Sequence, residues 1–132
     1  MTERILPVIP ADREDDLHHL EIAAEADLVL FMAGNQFMVM PAIISAFKAR
    51  YPEIKKIFYE TLPPGLELKQ ILAGGALWQN EPLSVYPDVY SSVNQKAMQV
   101  LAQQGHIRPE DQHLYLHNRL TLMVPRGNPA GI

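Results

Sequence analysis

Gly34, Asn35 and Gln36 directly follow the apolar run Leu28–Ala33 and precede a segment with helical spacing. A glycine turn between a buried strand and a helix exposes backbone N–H groups at the helix start, where the helix dipole favours an anion. The side-chain amide of Asn35 can also donate hydrogen bonds. The pattern therefore predicts that Gly34–Gln36 contacts an anionic or polar solute. The alternative is that Gly34 only permits a tight turn and Asn35 caps the helix.

Ser91 and Ser92 end a later predicted strand, Asp88–Ser92. Ligands of parallel sheets lie beyond the carboxyl ends of the strands, so these hydroxyl groups are expected to face the same crevice as Gly34–Gln36. The alternative is that a serine caps the next helix, and it has more weight for Ser92 than for Ser91.

Residue types that catalyse reactions or bind metals occur without the spacing that such sites need. The chain has no cysteine, which excludes disulfides and thiolate metal sites. His113 and His117 would lie too far apart along a strand to share a metal easily. His18 and His19 are adjacent and would diverge on a helix. Because no His-Glu-x-x-His pattern, nucleophile elbow or P-loop is present, the sequence predicts a protein that is not an enzyme and has no cofactor.

Composition narrows the classes of protein further. The 132 residues suffice for one domain with a core, and the formal charge of −4 gives little support to nucleic-acid binding. No stretch approaches the roughly 20 apolar residues of a membrane-spanning helix, so membrane insertion is not expected. The N-terminus lacks the pattern of a secretory signal. The chain is therefore expected in the cytoplasm, or outside it if a signal has been removed.

Apolar spacing, prolines and glycines predict alternating strands and helices that position these residues. An irregular arm over residues 1–10 precedes a predicted helix over Ala11–Ala26, and Leu77–Pro87 is predicted to be a loop. The predicted strands are Leu28–Ala33, Ile54–Glu60, Asp88–Ser92 and Leu114–Val124, and the predicted later helices are Pro41–Tyr51, Leu66–Ala73 and Asn94–Gln104. This order predicts an α/β fold with a doubly wound, mostly parallel sheet. The expected division is an N-terminal arm and helix over 1–26 and a lobe over 27–132.

Two other groups of residues have competing interpretations. Trp78 and Tyr86 could stack on a ligand or cover a partner surface, or they could plug the edge of the core. A cluster of charged residues is interpreted as a solvated face; it comprises Glu53, Lys55, Lys56 and Glu60.

Four segments, in this order and spacing, resemble the periplasmic-type (type II) solute-binding proteins of ABC transporters, most closely the molybdate/tungstate-binding branch. The segments are Leu30–Asn35, Ala46–Pro52, Asp88–Ser92 and Asn118–Pro129. The resemblance implies one lobe of a two-lobed fold that closes on an oxyanion, ending at the strand that leads through the hinge. It also implies a small polar or anionic solute and an ABC permease as partners, with a homo-oligomer as a way to rebuild the cleft.

The sequence departs from the pattern of this branch at two places. Asn35 stands where members usually have a serine, and Pro63-Pro64-Gly65 replaces a hydroxyl-rich turn. Asn35 can donate through its amide, whereas proline has no N–H to offer. The resemblance implies ligand contacts at Gly34, Asn35, Gln36, Gly65, Ser91 and Ser92.

Three other functions remain open at this point. The same fold serves as a cytoplasmic ligand-sensing domain of regulators, which would need a DNA-binding segment that residues 1–26 are too short and acidic to supply. The second possibility is a single-lobe fragment that self-associates through an unpaired strand. An enzyme of unknown type is the third, and it has no catalytic constellation in its favour.

Overall fold

The computed structural model describes residues 5–117 and 122–132. The strands are β1 (Leu17–His18), β2 (Leu28–Met32), β3 (Ile57–Glu60), β4 (Ala76–Trp78), β5 (Glu81–Leu83) and β6 (Val89–Ser91). The α-helices are α1 (Met40–Arg50), α2 (Pro64–Ala73) and α3 (Gln95–Gln103). Short 3-10 helices cover Ala11–Asp16, Leu20–Glu25, Gly34–Gln36 and Pro109–Asp111.

The main sheet has the strand order β1-β3-β2-β6. The central strand β2 runs parallel to both neighbours, with Leu30 opposite Tyr59 of β3 and Val89 of β6. At one edge β1 pairs antiparallel with β3. The predicted α/β fold with a mostly parallel sheet is confirmed.

Helices cover both faces of this sheet because side chains alternate along each strand. Phe31 of β2 and Phe58 of β3 are fully buried in the larger core, together with Ile71 of α2 and Leu101 of α3. On the opposite face, Ile57 and Tyr59 pack with Met40 and Ile44 of α1. Both faces of β3 are therefore buried, which accounts for its apolar sequence.

The predicted helix over Ala11–Ala26 is wrong. This stretch forms two 3-10 helices separated by β1, and His19 between them has a left-handed backbone with φ 69°. The helical interpretation rested on one weak row of small and apolar residues. The pairing of Leu17 with Glu60 draws the segment into the sheet instead.

The loop predicted over Leu77–Pro87 contains most of the hairpin β4–β5. Its two turn residues, Gln79 and Asn80, both have positive φ, as a type I′ hairpin turn requires. The arm before Ala11 is fixed to this hairpin, since Ile9 N–H donates to the Leu77 carbonyl at 2.9 Å.

The strand predicted over Leu114–Val124 is also wrong where it can be checked. Residues 114–117 and 122–124 adopt no regular secondary structure, and residues 118–121 lie outside the described residues. Within the described ranges, no helix combines the length and apolar character needed to cross a membrane.

Candidate functional site

The carboxyl ends of β2 and β6 meet where the chain reverses its direction across the sheet. From β2 the chain passes through α1 to β3 on one side, whereas β6 lies on the other side of β2. Open α/β sheets bind ligands in the crevice at such a switch point. Gly34–Gln36 follows β2 and Ser91 ends β6, so these predicted contacts border the same crevice.

Gly34 permits a close approach between the segments that follow β2 and β3. A Cβ atom built on Gly34 would lie 3.1 Å from the Thr61 carbonyl oxygen and 3.5 Å from that of Leu62. A larger residue would press on backbone atoms that follow a fully buried strand. The glycine therefore keeps the ends of the two neighbouring strands together.

Gln36 and Ser91 bind a common oxygen atom. The amide Nε2 of Gln36 donates a hydrogen bond to the Tyr115 hydroxyl, and the same hydroxyl is bonded to Ser91 Oγ. Ser91 is buried, with 5% of its surface exposed. Two predicted contacts from separate elements can thus hold one oxygen between them.

Several backbone amides of the turn after β2 are not available to a ligand. The N–H groups of Gln36, Phe37 and Val39 donate to the carbonyls of Ala33, Gly34 and Gln36 at 2.9, 3.2 and 3.1 Å. Helix α1 starts only afterwards, with no side-chain cap on its first turn. The expected capture of an anion by free amides directly after Gly34 is therefore limited, because several of these amides are already bonded.

The other predicted contacts occupy distinct positions. Asn35 is exposed and does not cap α1. Ser92 does not cap α3 either: Asn94 does, because its Oδ1 accepts a hydrogen bond from Ala97 N–H at 2.8 Å. The Ser92 hydroxyl accepts from Asn94 N–H at 3.4 Å. Gly65 is exposed in the first turn of α2 with open space around its Cα.

Comparison with known protein families identifies the family to which this chain belongs. The sequence profile of the bacterial extracellular solute-binding protein family matches residues 28–132. The chain belongs to this family. Comparisons with curated proteins and with solved structures gave no significant match.

Membership in the solute-binding family supports a substrate-binding role, and proteins of this family are generally not enzymes. The matched residues begin at the first residue of β2 and include all six predicted contacts. The crevice between β2 and β6 therefore lies entirely within the part of the chain that matches the family.

Tyr115 is a site residue that the sequence did not indicate. It lies in the segment predicted to be a strand, and only the fold brings its hydroxyl to Gln36 and Ser91. A tyrosine between two leucines in an apolar segment resembles any strand residue, so no sequence signal could have identified it.

A cluster of buried acids lies close to the crevice. Glu60, Glu67 and Gln70 are fully buried, and Gln70 Nε2 donates to Glu60 Oε1 at 3.0 Å. Within the described residues, both oxygens of Glu67 and one of Glu60 have no hydrogen-bond partner. The interpretation of Glu60 as part of a solvated face is wrong. Glu60 is the last residue of β3, and α2 covers it.

Burial sets the ionisation of these two carboxyl groups. Desolvation raises the pKa of Glu60 to about 8, which the Gln70 hydrogen bond only partly opposes. Desolvation, together with the charge of Glu60, raises the pKa of Glu67 to about 11. Both groups are therefore predominantly neutral acids at pH 7.

His18, Trp78 and Tyr86 each contact other parts of the fold. His18 stacks on Tyr59 with ring centroids 4.1 Å apart, and its Nε2 is 2.9 Å from Thr61 Oγ1. Trp78 is buried in the main core. The exposed ring of Tyr86 bonds through its hydroxyl to His106 Nδ1 at 2.6 Å. The part of the chain that the structure describes holds no cluster of three or more metal-ligating side chains.

Two surface cavities lie away from the crevice. One, of about 610 Å³, lies between the N-terminal arm and α2, and another, of about 600 Å³, borders the acidic stretch near His18. Neither is lined by Gly34–Gln36 or Ser91.

Proposed function

We propose that this chain binds a small oxyanion, such as molybdate or tungstate, or a similar polar solute, as the solute-binding domain of an ABC-type transporter. The observation that carries the proposal is that Gln36 and Ser91 bind one and the same oxygen at the switch point of the sheet. The family match supports the solute-binding role. The resemblance of the sequence to the molybdate/tungstate branch supports the choice of an oxyanion.

Neutral donors suit such a solute. The Gln36 amide and the Ser91 hydroxyl can each donate a hydrogen bond to an anionic oxygen without a fixed positive charge. The remaining oxygens of a tetrahedral anion would be held by Asn35, Ser92 and the amide of Gly65. Binding without an ion pair also allows release, which transport requires.

An exposed apolar rim beside the crevice supports the proposal that another protein binds there. The rim comprises the stretch Phe37–Val39 and the two leucines that flank Tyr115, Leu114 and Leu116, with Met38 88% exposed. Large exposed apolar patches tend to mark contacts. We propose that a second copy of the chain covers this rim and supplies the opposite wall of the cleft, and that an ABC permease receives the solute.

Isothermal titration calorimetry with molybdate, tungstate, sulfate and phosphate tests the proposed ligand class. Ser91→Ala and Gln36→Ala each remove one donor and should weaken binding about 10-fold or more, since hydrogen bonds to charged groups contribute about 1.5–3 kcal/mol. Ser45→Ala and Gln99→Ala are matched controls, because both residues are exposed on helices.

Two results would count against the proposal. If none of the four anions binds the wild-type chain, the oxyanion assignment fails. If an anion binds but the Ser91 and Gln36 variants bind as tightly as the Ser45 and Gln99 variants, the ligand site lies elsewhere on the chain.

A further inference from the structure

Tyr115 places an oxygen between two residues of the proposed solute site. Because the Gln36 Nε2 group can only donate, the Tyr115 oxygen accepts its hydrogen bond. Ser91 Oγ is bonded to the same oxygen, as donor or acceptor. The phenol oxygen therefore makes the contact with Gln36 that an oxygen of the solute would make.

The segment that carries Tyr115 is held by little else. Residues 112–117 adopt no helix or strand, and Tyr115 itself is 57% exposed. Its neighbours Leu114 and Leu116 are 79% and 68% exposed, so neither anchors the segment in the core. Segments with few buried apolar contacts open at low free-energy cost. The hydroxyl contacts with Gln36 and Ser91 are thus the main described attachment near the crevice.

We propose that the Tyr115 hydroxyl is a built-in occupant of the solute site, which the solute displaces when it binds. The inference rests on the proposed function, because it assigns the competing group at that same site. Segment 112–117 then acts as a tethered competitor that lowers the apparent affinity for the solute. A binding-competent form that is only fractionally populated reduces affinity by that fraction.

The substitution Tyr115→Phe tests this mechanism, since it removes the competing oxygen and keeps the ring. The full chain is titrated with molybdate, and with tungstate in parallel, by calorimetry. Displacement predicts that Tyr115→Phe binds about 10-fold more tightly than wild type, because it no longer has to break these two hydrogen bonds. Tyr51→Phe is the matched control: Tyr51 is exposed and packs on Phe47 at the end of α1, so its affinity should equal that of wild type.

Hydrogen exchange gives a readout that does not depend on the ligand. In the free protein, the amides of residues 112–117 should exchange faster in Tyr115→Phe than in wild type or Tyr51→Phe. Adding molybdate to wild type should accelerate exchange in the same segment. This acceleration would be unusual, because ligands commonly slow exchange near their sites.

The outcomes separate this inference from the proposed function. If wild type and Tyr115→Phe bind molybdate equally, or the variant binds more weakly, displacement is overturned while solute binding stands. Equal exchange of residues 112–117 in the two free proteins also overturns it, whatever binds. If neither ion binds any of the proteins, the proposed oxyanion function fails and this inference fails with it.

Discussion

The substitution Glu67→Gln should change how the stability of the fold depends on pH. Glu67 and Glu60 are fully buried, and within the described residues neither oxygen of Glu67 has a hydrogen-bond partner. The pKa of Glu60 is raised to about 8 and that of Glu67 to about 11, mainly by desolvation. Glutamine has the shape of a protonated glutamate, so the variant fixes one of the two groups in its neutral form.

The sign of the effect follows from proton binding. Above the ordinary pKa of 4.5, the unfolded chain releases both protons while the folded chain keeps them until the raised pKa values are reached. The stability that these two groups contribute is therefore greatest at acidic pH and falls as pH rises toward 8. Each group contributes a loss of about 1.4 kcal/mol per pH unit in this window, or roughly 3 kcal/mol between pH 5 and pH 7.5.

Glu67→Gln should remove about half of this slope. We expect the variant to match wild type within about 1 kcal/mol at pH 5 and to be more stable by roughly 3 kcal/mol at pH 7.5. Urea denaturation at pH 5, 6, 7 and 8 measures this, with the fluorescence of the single tryptophan, the buried Trp78, as the signal. Exposed carboxylates affect both proteins equally and cancel in the comparison.

The control is Glu81→Gln, an exposed glutamate on β5, which should leave the wild-type pH profile unchanged. Parallel profiles for wild type and Glu67→Gln would refute the reasoning, since Glu67 would then have the same proton occupancy in both states. A variant that is less stable by several kcal/mol at every pH would refute it as well. That result would mean that Glu67 is ionised and paired in the native protein.

Further substitutions test the packing of the strand ends, the cap of α3 and the exposed apolar rim. Gly34→Ala should destabilise the fold by about 1 kcal/mol, because its Cβ would press on the Thr61 carbonyl at 3.1 Å. Gly65→Ala meets open space in the first turn of α2 and should instead stabilise the fold by about 0.5 kcal/mol. Urea denaturation measures both changes. Asn94→Ala should cost about 1 kcal/mol through loss of the cap on α3, and Asn94→Ser should recover most of it. Met38→Glu should shift light-scattering masses toward the monomer, because it places a charge on the exposed apolar rim.

Each of these expectations can fail in a defined way. Equal stabilities of Gly34→Ala and Gly65→Ala would show that the strand ends are not tightly apposed. An unchanged midpoint for Asn94→Ala would mean that the cap contributes nothing. A wild-type chain that is monomeric at all concentrations would remove self-association from the proposed function.

The sheet was predictable because its central strands are buried on both faces. A continuous apolar run such as Leu28–Ala33 is typical of a parallel strand that is covered on both faces. The start of helix α1 could be predicted from Pro41, because proline is tolerated in the first turn of a helix. The hairpin β4–β5 was missed because Gln79, at the first turn position, has positive φ without being glycine, asparagine or aspartate. Tertiary contacts decided that turn, and local sequence could not show them.

The site was predictable only on the elements that form it locally. Gln36 and Ser91 follow predicted strands, so their position at the carboxyl edge could be inferred. Tyr115 could not be inferred, because its contacts span 79 and 24 positions along the chain. The burial of Glu60 could not be predicted for a similar reason. A charged residue at the end of a strand is normally exposed to water, but here Glu67 and Gln70 of α2 cover Glu60.

The buried acids bear on the proposed solute as well as on stability. Leu62 connects the two regions, because its carbonyl oxygen lies 3.5 Å from the Cβ position of Gly34 and its backbone partly opposes the rise in the pKa of Glu67. Glu60 pairs with Phe31 of β2, three residues before Gly34, so ionised carboxylates at Glu60 and Glu67 would repel an oxyanion at Gly34–Gln36. Because burial raises both pKa values, the carboxyl groups stay largely protonated at pH 7 and carry little charge. Neutral acids beneath the crevice and neutral donors at its edge therefore fit together, and an anion site without a cation becomes physically possible in an acidic protein.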